Sequence, residues 1–434
     1  MSALRTRLES ALASRASRQM LRSLVPLAPA ERLRLVDFSS NDYLSFAAHP
    51  ILREKLLREL NDPESPSPFG PPSSRLLDGN SPSHLALEAH VSDFFASEPE
   101  GALVFNSGFD ANVGVWTCLP GPDDYILYDE LVHASIHDGM RSSRVPPAKR
   151  IKVRHNGLDD LERTLTEIVS QDRSVRQGDR SVWIGVESLY SMDGDLCPLR
   201  NMVELVERLL PCGNGHFIVD EAHSTGLYGE QGRGLVCALG LANRITVRLH
   251  TFGKAMACSG AVVLATPLVR QYLVNYARPL IYSTVTPHMN IKAMEKSIEM
   301  LQQGYGEQPA KHVHKLASTL IASLSSFLTP SSTVSLPPHL LPPLYDPSNR
   351  TLASTHPNLP PTSPIVPLLT SRPRPLSAFL KDRGFLVRPI TYPTVPKGME
   401  RVRVCLHAAN TIHQVEQLAR AIEAWEQLQL CSKL

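Results

Sequence analysis

The stretch HFIVDEAHSTG, residues 216–226, decides the fold. Its first five residues are a short, mostly apolar run closed by an acid. Such a run, bounded by small and polar residues, reads as a buried strand. In α/β enzymes, ligands sit at the carboxyl ends of the strands. Asp220 at this strand's end and His223 three residues on can therefore face one ligand. D-x-x-H alone suits a capping aspartate and a core histidine equally well.

Similar runs lie on both sides of it. ALVF (102–105), YILY (125–128), VWIGVE (182–187) and AVVLA (261–265) also read as strands. Helical spacing of apolar residues occurs at 50–60, 84–96, 110–119, 158–170 and 200–210. Buried strands alternating with helices predict an α/β domain, a mostly parallel sheet with helices on both faces. After about 290 the pattern changes. A helix is predicted over 307–328, and ten prolines then fall between Pro337 and Pro367. Proline fixes φ and removes a backbone donor, so 337–364 reads as an extended surface insertion. Strands at 385–388 and 401–406 and a helix at 411–428 would close a smaller α+β domain. The expected division is an N-terminal arm (1–48), a large domain (49–290) and a small C-terminal domain (291–434). No internal repeat is present.

Composition narrows the function. The 434 residues are 42% hydrophobic and 20% charged, ordinary for a globular chain. Lys+Arg 44 against Asp+Glu 42 leaves +2, which removes the electrostatic argument for a nucleic-acid or membrane-surface partner. The seven cysteines form no C-x-x-C pair, so neither a disulfide framework nor a cysteine zinc site is expected, and no metal. The charge-free stretch from Ala255 to Val269 is too short to span a bilayer and reads as a buried strand. The ends carry conflicting addresses. The N-terminus is rich in Arg and Ser, with Leu4, Leu8 and Leu12 four apart, which suits a mitochondrial presequence or a docking helix. Ser432, Lys433 and Leu434 read as a peroxisomal address recognised by an import receptor. A cytoplasmic location is the alternative.

Chemistry gathers at two further points. In TFGK (251–254), Lys254 is followed by Ala255, Met256 and Ala257. Desolvation there would lower the amine's pKa and make it a nucleophile toward an aldehyde. The position five before Gly253 is Arg248, so this is not a phosphate loop of the G-x-x-x-x-G-K type. NSGF (106–109) joins a predicted strand to a helix, offering backbone N–H groups and a hydroxyl to a phosphate. GEQGRG (229–234) does not match the dinucleotide pattern G-x-G-x-x-G. No H-E-x-x-H or G-x-S-x-G occurs.

In chain order these pieces form a constellation: Ser-Gly-Phe, the histidine of LVHAS, D-E-A-H, then T-F-G-K. SSNDYLS (39–45), SRLLDGNSPSHLALE (74–88), ESLYSMDGD (187–195), IYST (281–284), YPTVPKG (392–398) and RVRVCLHAAN (401–410) accompany them. Together they resemble the α-oxoamine synthases, pyridoxal 5'-phosphate enzymes of the fold type I aminotransferase class, over nearly the whole chain. The resemblance includes the N-terminal helix, which weighs against the presequence.

The resemblance implies roles. Lys254 would hold the cofactor covalently and move the substrate's α-proton. Asp220 would pair with the pyridinium nitrogen, His223 would hydrogen-bond the ring's phenolic oxygen, and His133 would stack on the ring face. Ser107, Gly108, Phe109, Ser191 and Thr251 would line the cofactor site. The family's sites lie at a homodimer interface, so Thr284 would reach the phosphate of the other subunit. Arg403 would hold the amino-acid carboxylate, with Arg22, Asn41 and Thr394 near the substrates. Phe69–Ser74, with Pro71 and Pro72, replaces the family's glycine-rich loop and stiffens that segment. The implied reaction is decarboxylative condensation of a small amino acid with an acyl-CoA, an acyl transfer. Alanine with pimeloyl-CoA, giving 8-amino-7-oxononanoate for biotin, is the first expectation. Another member of the family, a glycine C-acetyltransferase, a 5-aminolevulinate synthase or a secondary-metabolite synthase using a longer acyl-CoA, is the alternative. A noncatalytic partner subunit is a further one, against which the presence of Lys254, Asp220 and His223 speaks.

Overall fold

The computed structural model describes residues 2–18, 20–22, 24, 28–65, 67, 69–70, 73–341, 359–360 and 362–431. Among the described residues the twelve strands, in chain order, are β1 (Val36–Asp37), β2 (Ala102–Phe105), β3 (Tyr125–Asp129), β4 (Arg150–Val153), β5 (Val182–Glu187), β6 (Gly215–Asp220), β7 (Val247–Thr251), β8 (Ala261–Leu264), β9 (Ile365–Leu369), β10 (Phe385–Leu386), β11 (Arg388–Ile390) and β12 (Arg401–Cys405).

Seven of them form the main sheet in the order β2-β8-β7-β6-β5-β3-β4. β4, β3, β5, β6 and β7 pair in parallel, while β8 is inserted antiparallel between β7 and β2. Every residue of β5 is buried, so both faces of the sheet centre are covered. The register sets Glu187 opposite Asp220, and Asp220 opposite Leu249. β5, β6 and β7 thus end side by side, and the loops leaving those ends carry the predicted chemistry.

The predicted strand at 216–221 is β6, and helices cover Gly108–Cys118, Leu158–Gln171 and Leu199–Leu209. Three expectations need correction. Of the stretch from Ala255 to Val269, only β8 is a strand. Residues 255–260 form turns ahead of it, with Gly260 at φ 121, and a proline-started helix, Pro267–Tyr276, follows. The large domain runs past 290: the helix His288–Gln302 buries Ile291, Met294 and Ile298 in the core of the main sheet. The second core begins with the helix Glu307–Ser325 and gathers β9, β12 and the helix Ile412–Cys431, together with Phe38 of the N-terminal arm.

The proline-rich stretch is anchored at both described flanks rather than lying wholly on the surface. Pro337 is buried, and so are Ser363 and Pro364. The carbonyl of Thr362 accepts from Tyr228 Oη at 2.9 Å and faces His314 Nδ1 at 2.7 Å. Residues 342–358 and 361 of the insertion, Pro71 and Pro72, and Ser432–Leu434 lie outside the described residues.

The small sheet, β11-β12-β9, is antiparallel. Alternation along β12 divides its side chains. Val402 and Val404 enter the second core, and Arg401, Arg403 and Cys405 turn the other way. Cys405 and Ile365 join the core of the main sheet. The face of the small sheet that carries both arginines is therefore the one packed on the large domain.

Candidate active site

Asp220 closes β6 and is buried. Its Oδ1 accepts from the Ala222 amide at 2.9 Å and its Oδ2 from Asn112 Nδ2 at 2.8 Å. Asn112 lies on the helix Gly108–Cys118 and also donates to Ser135 Oγ at 3.0 Å. With that lone pair used, the Ser135 hydroxyl is free to donate to His133 Nδ1 at 2.7 Å, and the Ser135 amide donates to the same nitrogen at 3.2 Å. His133 therefore carries its proton on Nε2. Burial lowers its pKa, Lys254 adds to the fall and Asp220 opposes it. Phe109 meets the His133 ring edge-on at 6.4 Å.

His223 is the second histidine of the cluster. Its Nδ1 lies 2.7 Å from Tyr43 Oη, shorter than the 3.2 Å from Tyr43 Oη to Asn41 Oδ1. The single phenolic proton goes to the nearer acceptor. Asn41 Oδ1 is served instead by Arg403 Nη1 at 3.1 Å, and Arg403 Nη2 points to Tyr43 Oη at 3.4 Å. The chain Arg403–Tyr43–His223 leaves a donating Nε2–H at its end. Burial pushes His223 well below the usual histidine range, and Lys254, Arg403 and His133 add to the push. A neutral imidazole with a fixed tautomer is what a hydrogen bond to a phenolic oxygen needs.

Lys254 follows β7 in a turn. Burial lowers its amine pKa and Arg403 adds to the fall, while Asp220 and Glu187 oppose it. Thr251, at the end of β7, accepts from the Gly253 amide at 3.3 Å and so shapes the turn that presents the lysine. Thr251 also packs against Gly108, where an added Cβ would lie 3.4 Å from its hydroxyl.

Ser107 is the N-cap of the helix Gly108–Cys118, accepting from the Asp110 amide at 3.1 Å and donating to Asp110 Oδ2 at 2.8 Å. Its hydroxyl is thus engaged. The first amides of the helix, Gly108 and Phe109, have no partner within it and are the free donors there. Thr284 is exposed, and its carbonyl accepts from Asn106 Nδ2 at 2.8 Å, which holds the segment beside Ser107. Ser191 is half-buried in the turn that follows β5.

The structure brings Asp220, His223, His133, Lys254, Asn41 and Arg403 into one connected cluster. Arg22 and Thr394 do not join it: both are exposed, and no hydrogen bond or ion pair links either to the cluster among the described residues.

Three members were missed in the sequence. Tyr43 and Asn112 are the hydrogen-bonding links, and Glu187 is a buried acid beside Asp220. Burial pushes Glu187 well above the usual carboxylate range, with Asp220 adding, while Lys254 and the His133 amide oppose. Its Oε1 has no hydrogen-bond partner among the described residues. The signal for Glu187 was legible, an acid closing a strand as in β6. Tyr43 lies within SSNDYLS, but no local signal gives Tyr43 or Asn112 its partners.

These residues fit pyridoxal phosphate. A carboxylate with spare lone pairs, a desolvated amine, two neutral histidines and free amides at a helix N-terminus match a pyridinium, an aldehyde, a phenolic oxygen and a phosphate. Among the described residues the buried Nε of Arg403 and Oε1 of Glu187 have no partner, as befits groups facing a ligand. Fold and site together define a pyridoxal-phosphate enzyme.

Comparison with known proteins agrees. Residues 34–422 match the aminotransferase class I and II family, and the chain belongs to it. It is 42% identical to an 8-amino-7-oxononanoate synthase of Emericella nidulans, over 98% of this chain and 96% of that one. It is 36% identical to the aminoacyl transferase SphA of Aspergillus fumigatus, over 89% of this chain and 80% of that one. In fold it resembles a serine palmitoyltransferase of Sphingomonas wittichii, with TM-score 0.73, 24% identity and coverage of 90% of this chain and 86% of that one. It also resembles the 8-amino-7-oxononanoate synthase of Francisella tularensis, with TM-score 0.68, 22% identity and coverage of 91% and 99%.

Proposed function

We propose that this protein condenses L-alanine with pimeloyl-CoA, releasing CO2 and CoA and forming 8-amino-7-oxononanoate. The observation that carries the chemistry is the connected cluster of Lys254, Asp220, His133 and His223, tied through Tyr43 to Arg403. Near-complete coverage of the Emericella protein supports the choice of substrates.

Bound pyridoxal phosphate supplies an electron sink that lets the α-carbon of the amino acid act as a nucleophile. The rest falls to this chain. Arg403, buried and aimed at the cluster, binds the amino-acid carboxylate in a bidentate pair. Lys254 Nζ, its pKa lowered by burial, takes the α-proton and later returns one. Asp220 keeps a negative charge at the floor of the site, fixed by Ala222 and Asn112. His223 Nε2–H and the His133 ring orient what lies between them. The nucleophilic α-carbon attacks the thioester carbonyl, thiolate leaves as CoA, and the resulting β-keto acid loses CO2.

A homodimer with Thr284 lent to the neighbouring site completes the proposal. Phe69, Leu77, Tyr282 and Leu268 are large apolar residues left exposed on one chain and support it. Peroxisomal import through Ser432–Leu434 is also proposed. It would place the enzyme where fatty-acid shortening yields dicarboxylic acyl-CoA.

One assay tests the substrates: CoA release with alanine, glycine or serine crossed against acetyl-, pimeloyl- and palmitoyl-CoA. Preference for a long monocarboxylic chain would favour a second reading, an oxoamine synthase of secondary metabolism, which the similarity to SphA supports. A colourless protein that releases no CoA with any pair would mean a noncatalytic partner. For the address, a fluorescent protein fused at the N-terminus should give peroxisomal puncta that disperse when Ser432–Leu434 are deleted. Diffuse signal from the intact tail would remove that part.

A further inference from the structure

The turn carrying Ser191 is gripped from two domains. It follows directly from Glu187 at the end of β5, beside Asp220, so it borders the cofactor cluster. Within the turn, the Gly194 amide donates to the Tyr190 carbonyl at 2.9 Å and the Tyr190 amide to the Asp195 carbonyl at 3.0 Å.

From the large domain, His155 Nε2 and Asn156 Nδ2 each lie 2.7 Å from Asp195 Oδ2. From the small domain, Arg401 Nη1 donates to the Met192 carbonyl at 3.1 Å and to Asp193 Oδ1. Ser363 Oγ donates to the Gly194 carbonyl at 2.6 Å, and His339 Nε2 lies 3.1 Å from the Asp193 carbonyl. Gly194 has φ 71, and a Cβ there would lie 2.2 Å from the Ile365 carbonyl, so β9 is pressed directly on the turn's backbone.

Arg401 is buried, with its Nε held by the Met399 carbonyl at 3.0 Å. It sits two residues from Arg403 on β12, and both project from the same face of the strand. One strand thus carries the guanidinium assigned to the amino-acid carboxylate and the guanidinium that grips the cofactor-side turn.

We infer that Arg401 is a positioning residue: through Asp193 it couples the position of the small domain's β12 to the turn that presents Ser191 to the cofactor. The grip is a charge-assisted bond between the buried Arg401 and the half-buried Asp193, stiff enough to transmit a shift. Anything that moves β12, including capture of a carboxylate at Arg403, then moves the Ser191 turn with it. The inference rests on the cofactor site described above and not on the choice of acyl-CoA.

Two variants test it, Asp193→Asn and Arg401→Lys, read without any acyl-CoA. Equilibrium dialysis gives the dissociation constant for pyridoxal phosphate, and amide hydrogen exchange reports on the turn. Asp193→Asn keeps the shape and removes the charge, so it stays folded even if the arginine variant does not. It should raise the cofactor dissociation constant about tenfold, the scale of one hydrogen bond to a charged group. It should also speed exchange at Tyr190 and Gly194 and leave the helix His288–Gln302 unchanged. Arg401→Lys, which keeps the charge, should show a smaller rise. A loosened turn with unchanged cofactor affinity would overturn the coupling. So would exchange that accelerates equally throughout, which marks a merely structural arginine. Failure to condense pimeloyl-CoA would leave both measurements untouched and bear only on the substrate.

Discussion

Two histidines near the carboxyl edge of one sheet are driven to opposite charge states. Burial drives both down. At His223 the cationic neighbours Lys254 and Arg403, joined by His133, push it down further, so it is neutral. At His155 the hydrogen bonds to Asp129 and Asp195 outweigh burial and lift it to about 10, so it is a cation. His155 Nδ1 lies 2.9 Å from Asp129 Oδ1, and Tyr190 meets its ring edge-on at 4.5 Å. The lesson is that burial alone assigns no role. A buried histidine among cations is set to give one hydrogen bond to a ligand, whereas one between carboxylates is a fastener.

The largest effect expected on the catalytic side is that of Lys254→Ala. Turnover should fall by at least about 10²–10⁴, the share usually supplied by general acid–base help alone. Borohydride should no longer fix the cofactor covalently, and covalent trapping on the variant would reassign the lysine. Because the folded chain lowers this amine's pKa, folding opposes its protonation below the ordinary 10.5. The cofactor-free variant should therefore melt above the wild type at neutral pH.

His155→Asn should act on stability instead. With its pKa lifted from 6.5 to about 10, the cation's contribution is complete below 6.5 and is lost as pH rises through 10. The side chain is 21% exposed, so about 2 kcal/mol is expected rather than the full cost of breaking a buried pair. Urea unfolding at low and high pH should show a wild-type decline across that window and a flatter, lower curve for the variant. Equal slopes would mean that His155 is not the fastener.

Tyr43→Phe probes the neutral histidine. It removes the donor to His223 Nδ1 and frees the tautomer, a loss of about 1 kcal/mol, or roughly five- to tenfold in kcat. The KM for acyl-CoA should hold. A change confined to that KM would place Tyr43 at the acyl chain rather than behind His223.

The smallest effect should come from Glu221→Gln. Thr225 Oγ1 donates to the Glu221 carbonyl at 2.7 Å, so His250 Nδ1–H must donate to Thr225 at 2.9 Å. His250 Nε2 is then an acceptor, facing Glu221 Oε2 at 3.4 Å. Burial raises Glu221 to about 7, against the Val236 amide and Arg248. The acid is therefore protonated at mildly acidic pH and poised to donate to His250. An amide can take its place, so stability near pH 5 should change little. Above pH 7 the variant should gain relative to wild type, because the carboxylate's desolvation is avoided. A steep loss at pH 5 would mean that the carboxyl is charged there.

How far the sequence could be read follows from the same physics. β5 and β6 were legible because each is a nearly unbroken apolar run buried on both faces. β7, VRLHT, was not: Arg248 and His250 are buried yet polar, paired with the Phe95 carbonyl at 2.8 Å and with Thr225. A charge that finds its partner only in the fold erases the hydrophobic pattern that would announce a strand. β4 and β9 are hidden in the sequence for related reasons, RIKV being half polar and IVPLL containing a proline.

In the site, Lys254, Asp220, His133, His223 and Arg403 were found, because each lies in a motif that resembles the family's. Tyr43 and Asn41 sit in such a motif too, but the bonds to His223 and Arg403 that give them meaning span 180 and 362 residues of chain. Those pairings exist only once the arm folds over the sheet. Arg22 and Thr394, also implied by the resemblance, lie at the surface of this chain.

The glycine run at 229–234 bears on variation. Gly234 has φ 95, and a Cβ there would lie 2.7 Å from Glu221 Oε1. The backbone itself is the wall that seals the buried acid. A substitution there would be filtered at folding, before any effect on turnover could be scored. Among living relatives, constancy at this position would therefore record which chains survive synthesis, and it would say nothing about which substrate they consume.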